Sequence, residues 1–530
     1  MKRRVFLLVY VTLLCYPLMA NVFYFHPNVG FVGDPMPFYD PIAKNFRVYY
    51  LQEFRPNGAT YHPVYAVETT DLTSYQYKAQ VLPTGGYHDQ DAAIGTGSVV
   101  YCEKDQTYYF YYTGNKSEVG PNDSRQVVMY ATSKDGINWT KTSFRLNGHD
   151  WYYYKDDFRD PEVFQTEDGL YHMLVATGKD RRNVLAEFTS SDCKNWSHKG
   201  IFMNTMWDRF YECPNVFKMG DWWYLVYSEQ HRNVRRVQYF KSRTYAGLAE
   251  CTKNDAGIWP DNHEGFLDSR GLYAGKTASD GNHRYLWGWC PTRPNNDNTA
   301  VNNGNGEPDW AGTMVAYQLV QHEDGSLTLG KIDNLRSYFN QSVLLPQTSM
   351  TMSSGQSQFF PAIEQQNHIH FTVTTSQNDA KFGVSVVRDP KTSTFYSVIV
   401  NPENNGLRKI NFEQEGGRGF IEYIDGYFFT QPSNNVYNID IYIDNSVFVM
   451  YVNDIASYTN RIYGMQSHQW SINCYSGEIQ VTDIHQEKHT DTPSALWQQS
   501  ADMNVQKRLE NGRVIIYRNG KPYTIMGQPK

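Results

Sequence analysis

Three short segments of the sequence share one pattern, in which an acidic residue is followed within two positions by proline and then by phenylalanine. The pattern occurs at residues 33–38, 158–164 and 211–217, which read GDPMPF, FRDPEVF and YECPNVF. A turn and a strand-like run rich in aromatic residues follow each segment. A repeated acid before a repeated strand could bring three carboxylates from distant parts of the chain to one place.

The three acids are Asp34, Asp160 and Glu212. Cleavage of a glycosidic bond needs a carboxylic acid that protonates the leaving oxygen. It also needs a carboxylate that acts as nucleophile or as base for water. Glu212 suits the acid, because a closed site can raise the pKa of a glutamate. An aspartate suits the nucleophile or an anchor for sugar hydroxyls. The alternative interpretation is that these acids only cap turns.

Short β-strands are the elements that would position these acids. Aromatic and β-branched runs recur at residues 46–51, 108–113, 171–177, 222–228 and 284–289. A period of about 50 to 65 residues fits one four-stranded blade, so residues 21–345 are predicted to form a five-bladed β-propeller. The inner strands of the blades surround a channel, and acids at their starts would meet at one mouth of it.

A second repeated element places an aromatic residue four positions after an aspartate. The three aspartates are Asp71, Asp135 and Asp192. An aspartate in such a polar segment caps a turn through its side chain. We therefore expect these three residues to be structural.

The C-terminal part of the chain has a different texture. Alternating strands continue over residues 346–487 without the acidic pattern, which predicts an antiparallel β-sandwich. Residues 488–530 begin with a linker-like composition and end in a small hairpin. The stretch 514–528 resembles the C-terminal sorting segment of proteins exported by the type IX route, and an edge hairpin of the sandwich is the alternative.

Composition and the N-terminus restrict the class of protein. The 530 residues carry a net charge of −7, which gives no indication of nucleic-acid binding. Lys2, Arg3 and Arg4 precede an apolar run, so residues 1–20 are predicted to be a signal peptide of an exported protein. A retained anchor is the alternative, and no later segment is apolar enough to span a membrane. Cleavage would leave six scattered cysteines without zinc-ligand spacing.

The two internal acidic segments resemble the signatures of glycoside hydrolase family 32, the β-fructosidases. The matching tripeptides are Arg159-Asp160-Pro161 and Glu212-Cys213-Pro214. Further similar segments follow the family's order: His62 with Asp71 and Tyr75, the run 95–98, the run 111–115, Tyr273-Ala274, the run 287–289 and the run 451–454. Together the resemblance covers residues 25 to 485.

The resemblance implies a fold, an activity and roles for individual residues. It implies a five-bladed propeller with a β-sandwich, and retaining hydrolysis of fructans or sucrose without metal or cofactor. Asp34 would be the nucleophile, Glu212 the acid/base, and Asp160 the residue that holds fructose hydroxyls. Four further residues would contact the sugar substrate: Gln52, Arg159, Ser98 and His62.

The nucleophile segment departs from the family pattern. The family reads WMNDPNG where residues 31–37 read FVGDPMP, so Gly33 replaces an asparagine. Two alternatives therefore remain open. One is an inverting arabinosidase or xylosidase similar to family 43, and the other is a glycan-binding propeller without catalysis. The sequence leaves three alternatives open for the substrate, namely levan, inulin and sucrose. It also leaves open endo or exo attack and the oligomeric state.

Overall fold

The computed structural model describes residues 23–490 and three strands of the tail. Gaps in the first range fall at residues 56–61, 122, 206–209, 232–233, 252–264, 294–309, 377, 390–393 and 416–426. Strands make up 60% of the structure and helices 4%. The predicted signal peptide, residues 1–20, lies outside the described residues. Within the described part of the chain, no helix is long and apolar enough to cross a membrane.

The first part of the chain forms five groups of antiparallel strands, which confirms the predicted five-bladed propeller. The blades are β1–β4 (Phe31–Asp40, Asn45–Glu53, Val64–Thr69, Gln76–Leu82), β5–β8 (Ala93–Cys102, Thr107–Asn115, Gln126–Ser133, Thr140–Lys141), β9–β12 (Phe158–Gln165, Tyr171–Lys179, Arg182–Ser190, Ser197–Asn204), β13–β15 (Tyr211–Met219, Trp222–His231, Val234–Ser242) and β16–β19 (Tyr273–Ser279, Arg284–Pro291, Gly312–Gln321, Leu327–Gly330). Blade 5 joins blade 1 where Val32 pairs with Gly312.

Each inner strand carries one residue more than the strand beside it, at a corresponding place in every blade. The register breaks follow Gly33 in β1, Gly95 in β5, Arg159 in β9, Glu212 in β13 and Tyr273 in β16. Such a β-bulge bends the strand and re-aims a side chain. The five bulges therefore turn side chains toward the central channel at one level.

Proline explains why three of these bulges form where they do. Pro35, Pro161 and Pro214 lie inside the breaks, and proline has no N–H to donate to a neighbouring strand. The residues directly before two of these prolines adopt left-handed backbone conformations: Asp160 with φ 59° and Cys213 with φ 51°. Each costs on the order of 1–3 kcal/mol and persists only where the surrounding structure holds it.

The repeated aspartates cap turns, as predicted. One carboxylate oxygen of each accepts two backbone N–H groups, from the residues two and three positions later. The distances are 2.9 and 2.8 Å at each of Asp71, Asp135 and Asp192. These acids are thus satisfied locally, unlike the acids at the bulges.

The second part of the chain is a β-sandwich, which confirms the predicted fold. One sheet contains β20 (Gln341–Ser342), β21 (Met350–Ser353), β32 (Glu478–Lys488), β23 (Gln366–Thr375), β28 (Val436–Asp444), β29 (Val447–Val452) and β30 (Ala456–Arg461), and the other contains β22 (Gln356–Ala362), β31 (Gln469–Ser476), β24 (Lys381–Asp389), β25 (Thr394–Pro402), β26 (Leu407–Glu415) and β27 (Tyr427–Thr430). Trp470 of the second sheet packs against Phe371 of the first, with ring centroids 6.4 Å apart. Two short helices, α1 (Tyr245–Leu248) and α2 (Leu335–Tyr338), lie in the propeller part.

The tail is a separate compact unit of residues 489–530. Its described residues form a three-stranded sheet, β33 (Val505–Glu510), β34 (Arg513–Arg518) and β35 (Lys521–Tyr523). The sequence predicted a small hairpin here, and the structure has one more strand, β33, before it.

Candidate active site

The three predicted carboxylates meet in one cavity of about 320 Å³ at the level of the bulges. Asp34 comes from blade 1, Asp160 from blade 3 and Glu212 from blade 4. Thr96 of blade 2 and Tyr273 of blade 5 complete a lining to which every inner strand contributes. The convergence follows from the bulges, because each of these five residues lies within or beside one.

Both oxygens of Asp34 accept a hydrogen bond. The Trp289 Nε1–H donates to Oδ1 at 3.0 Å, and the Thr96 hydroxyl donates to Oδ2. These donors come from blades 5 and 2 and fix the plane of the carboxylate. The two hydrogen bonds also stabilise the negative charge of Asp34, and the carboxylate stays partly accessible from the cavity.

The glycine before Asp34 is required by a tryptophan that packs on it. A Cβ added at Gly33 would lie 2.2 Å from a ring carbon of Trp310. The Trp310 ring stacks on His62 with centroids 4.5 Å apart, and both line the cavity. The departure from the family pattern therefore has a steric cause, since an asparagine at position 33 and this tryptophan exclude each other.

Glu212 is held by one donor on each oxygen. Arg159 Nη2 donates to Oε1 at 3.1 Å, and the Tyr273 hydroxyl donates to Oε2. Burial, with the nearby Glu212 charge, raises the pKa of Tyr273 well above its ordinary value, so this hydroxyl stays a donor. Arg159 is itself positioned by Asp157, at 2.5 Å, and by the ring of Phe210, at 4.0 Å.

Asp160 is the most enclosed of the three acids. Its Oδ2 accepts the Cys213 N–H at 2.9 Å, and its own N–H donates to the Thr113 hydroxyl at 2.9 Å. Burial raises the pKa of Asp160 to about 6, and the charges of Glu212 and Asp34 add to this against the opposing charge of Arg159. A substrate hydroxyl that donates to this carboxylate would replace the solvation lost on burial.

The predicted sugar-contacting residues divide into two groups. Arg159 and His62 line the cavity with the three acids, and His62 Nε2 lies 2.9 Å from Glu53 Oε2. Gln52 and Ser98 do not line it.

Gln52 lies on the opposite face of β2 from the cavity-lining Leu51, because side chains alternate along a strand. Its amide nitrogen donates to the carbonyl of Val29. The Ser98 hydroxyl donates to the Pro161 carbonyl and accepts the Val163 N–H, both at 2.9 Å, which links blade 2 to blade 3. The structure thus gives both side chains backbone contacts in place of a cavity position.

Sequence reasoning assigned no role to four residues at the site. They are Thr96, Tyr273, Trp289 and Trp310. The first three lie in segments that resemble segments of family 32. That resemblance was the sequence signal that could have identified them as site residues. Choosing Thr96 over Ser98 required knowledge of the bulge between Gly95 and Gly97. A Cβ added at Gly97 would lie 1.8 Å from the Tyr111 carbonyl oxygen. No sequence signal indicated Trp310.

Models of known protein families match nearly the whole described chain. The glycosyl hydrolases family 32 N-terminal domain matches residues 24–330. The GH32, BT1760-like, C-terminal domain matches residues 325–486. These two ranges correspond to the propeller and the sandwich.

Similar proteins agree with the family matches. Raffinose invertase of Escherichia coli is 24% identical over 503 residues, which are 87% of this chain and 93% of that protein. Fructan 1-exohydrolase IIa from Cichorium intybus superposes with a TM-score of 0.69 at 15% identity, covering 88% of this chain and 97% of that one. Exo-inulinase from Aspergillus awamori gives 0.67 at 15% identity, covering 88% and 98%. The chain therefore belongs to glycosyl hydrolases family 32.

Proposed function

We propose that this protein is a retaining β-fructosidase that cleaves fructosyl bonds in fructans or sucrose. The observation that carries the proposal is that Asp34 and Glu212 line one cavity. Each of their four carboxylate oxygens accepts a hydrogen bond from its own donor. Two carboxylates with separate partners can take the two roles that retaining hydrolysis requires. The similar proteins reported above are named as an invertase, a fructan exohydrolase and an exo-inulinase.

In the first step Glu212 protonates the oxygen that leaves, and Asp34 attacks the anomeric carbon. The glycosidic bond breaks, a bond from Asp34 to the fructosyl carbon forms, and the aglycone departs with the proton. In the second step Glu212 takes a proton from water, which attacks the same carbon and releases fructose with Asp34 free again.

Asp160 binds the hydroxyl groups of the fructosyl ring in this mechanism. Its carboxylate is fixed by the Cys213 N–H and lies among the residues that line the cavity. Arg159 and Tyr273 orient Glu212, and Trp289 and Thr96 orient Asp34. Trp310 and His62 give the cavity a flat aromatic wall against which a sugar ring can stack.

The test is release of sugar from levan, inulin, sucrose and arabinan by the purified protein, with Asp34→Asn and Glu212→Gln as matched variants. We expect fructose from at least one of the first three substrates, and a loss of about 10²–10⁴-fold for Glu212→Gln. Proton NMR of the first product should show retained anomeric configuration. Arabinose release with inversion, or no product from a folded protein, would contradict the proposal.

A further inference from the structure

A second cavity of about 260 Å³ lies on the same channel. The residues that line it come after the bulges on all five inner strands: Met36, Gly97, Glu162, Asn215 and Lys276. The catalytic cavity is lined by residues at or before the bulges. A strand rises about 3.3 Å per residue, so the second cavity lies further along the channel, away from the three acids. Nothing in the proposed mechanism uses it.

A buried ion pair forms part of its wall. Lys276 Nζ lies 2.8 Å from Glu162 Oε2, and both side chains are nearly inaccessible. Asn215 Nδ2 donates to Glu162 Oε1 at 2.7 Å, and the Thr277 hydroxyl donates to Asn215 Oδ1 at 2.7 Å. The lysine and the glutamate compensate each other, so this group carries no net charge.

Arg284 is the additional cation of the second cavity. Its Nη1 donates to the Thr277 hydroxyl at 2.9 Å, and its guanidinium carbon lies 4.1 Å from the centroid of the Phe217 ring. Among the described residues no carboxylate lies within ion-pair distance of Arg284. Burial lowers the pKa of Arg284 to about 10, against the charge of Glu162. With Lys276 and Glu162 cancelling, Arg284 gives the cavity an excess positive charge.

We propose that this second cavity binds a small oxyanion through Arg284. A guanidinium presents its N–H groups in a planar fork that fits phosphate, sulfate or carboxylate oxygens in pairs. The Phe217 ring supports one face of the fork, and the Thr277 hydroxyl fixes one nitrogen. The remaining N–H groups of this partly buried cation are available to an anion in the cavity.

Such an anion would contact blade 5 and lie beside blade 4. Arg284 and Thr277 belong to blade 5, and Phe217 and Asn215 belong to blade 4. A ligand bound only by the folded chain raises stability in proportion to the logarithm of its concentration above Kd. The anion would therefore stabilise the propeller without taking part in hydrolysis.

The experiment measures the thermal midpoint of the full chain in rising sodium phosphate and sodium sulfate, with sodium chloride at equal ionic strength as reference. We expect a rise of about 2 °C or more over chloride at ten times Kd. Arg284→Met should abolish the excess over chloride. Arg284→Lys, which keeps the charge and loses the fork, should reduce it, and this variant decides the matter if the methionine variant does not fold.

Arg159→Gln is the matched control, because it removes the arginine of the catalytic cavity and should keep the full anion effect. Activity of the unmodified protein should be the same in phosphate and in chloride. An equal rise in Arg284→Met, loss of the effect in Arg159→Gln, or no rise in the unmodified protein would each overturn the proposal.

Discussion

Replacing Asp160 by asparagine should make the protein more stable at neutral pH while removing activity. The folded protein holds the pKa of this carboxyl at about 6 because of burial, against an ordinary value of 3.8. Between these values the folded chain keeps a proton that the unfolded chain releases. The contribution of Asp160 to the free energy of unfolding therefore falls as the pH rises from about 4 to about 6. Above that range this contribution stays constant, by the linkage between proton binding and folding.

The size of the effect follows from the shift of about two pKa units. At 1.36 kcal/mol per unit, the ionised Asp160 costs roughly 3 kcal/mol of folding stability at pH 7 and nothing below pH 4. Asparagine has nearly the same shape, and its carbonyl oxygen can accept the Cys213 N–H that Asp160 Oδ2 accepts at 2.9 Å. It also tolerates the left-handed conformation at this position, which adds an offset that does not depend on pH.

The assay compares unfolding of the two proteins by urea at pH 4, 5, 6 and 7. The difference in unfolding free energy should grow by up to about 3 kcal/mol in favour of the variant across this range. Asp444 has its pKa raised to about 6 by burial as well, so it contributes the same trend to both proteins and cancels. A difference that does not change with pH, or that grows in favour of the unmodified protein, would refute this account of Asp160.

Two further predictions concern positions where the structure departs from sequence expectation, and a third concerns the N-terminal segment. Gly33→Asn should lower stability by about 1–3 kcal/mol because its Cβ meets the Trp310 ring, and adding Trp310→Ala should restore it; thermal unfolding of both variants tests this. Ser98→Ala should cost roughly 1–3 kcal/mol by unpairing the Val163 N–H and should leave KM for fructan unchanged, as unfolding and steady-state kinetics would show. We also propose export with removal of residues 1–20, so N-terminal sequencing of the secreted protein should begin near Asn21, and an intact Met1 would contradict it.

Sequence reasoning reached the acids because their chemistry and their bulge are encoded together. An acid followed by proline marks both a carboxylate and a place where strand pairing must break, so Asp34, Asp160 and Glu212 could be identified. The neighbouring contacts were harder, because one extra residue in a strand moves every later side chain to the other face. Without the position of that bulge, Ser98 could not be distinguished from Thr96.

The partner of Gly33 was beyond sequence reasoning for a different reason. Trp310 lies just before β18 of blade 5, at the far end of the propeller sequence, and the two residues come together beside the pairing of Val32 with Gly312. Such a long-range contact has no local pattern. An unusual glycine could be recognised in the sequence, but the ring that excludes a side chain there could not.

The five bulges also affect how the site can change over evolutionary time. At each of them the inner strand is already unpaired with its neighbour. A substitution at a bulge can therefore alter what contacts the ligand without shifting the register that holds the blade together. Each blade supplies one such ligand-facing position at the same depth in the channel, within the limits that its backbone conformation and close contacts set. New combinations of contacting residues can thus arise one blade at a time, while the hydrophobic packing between blades stays the same.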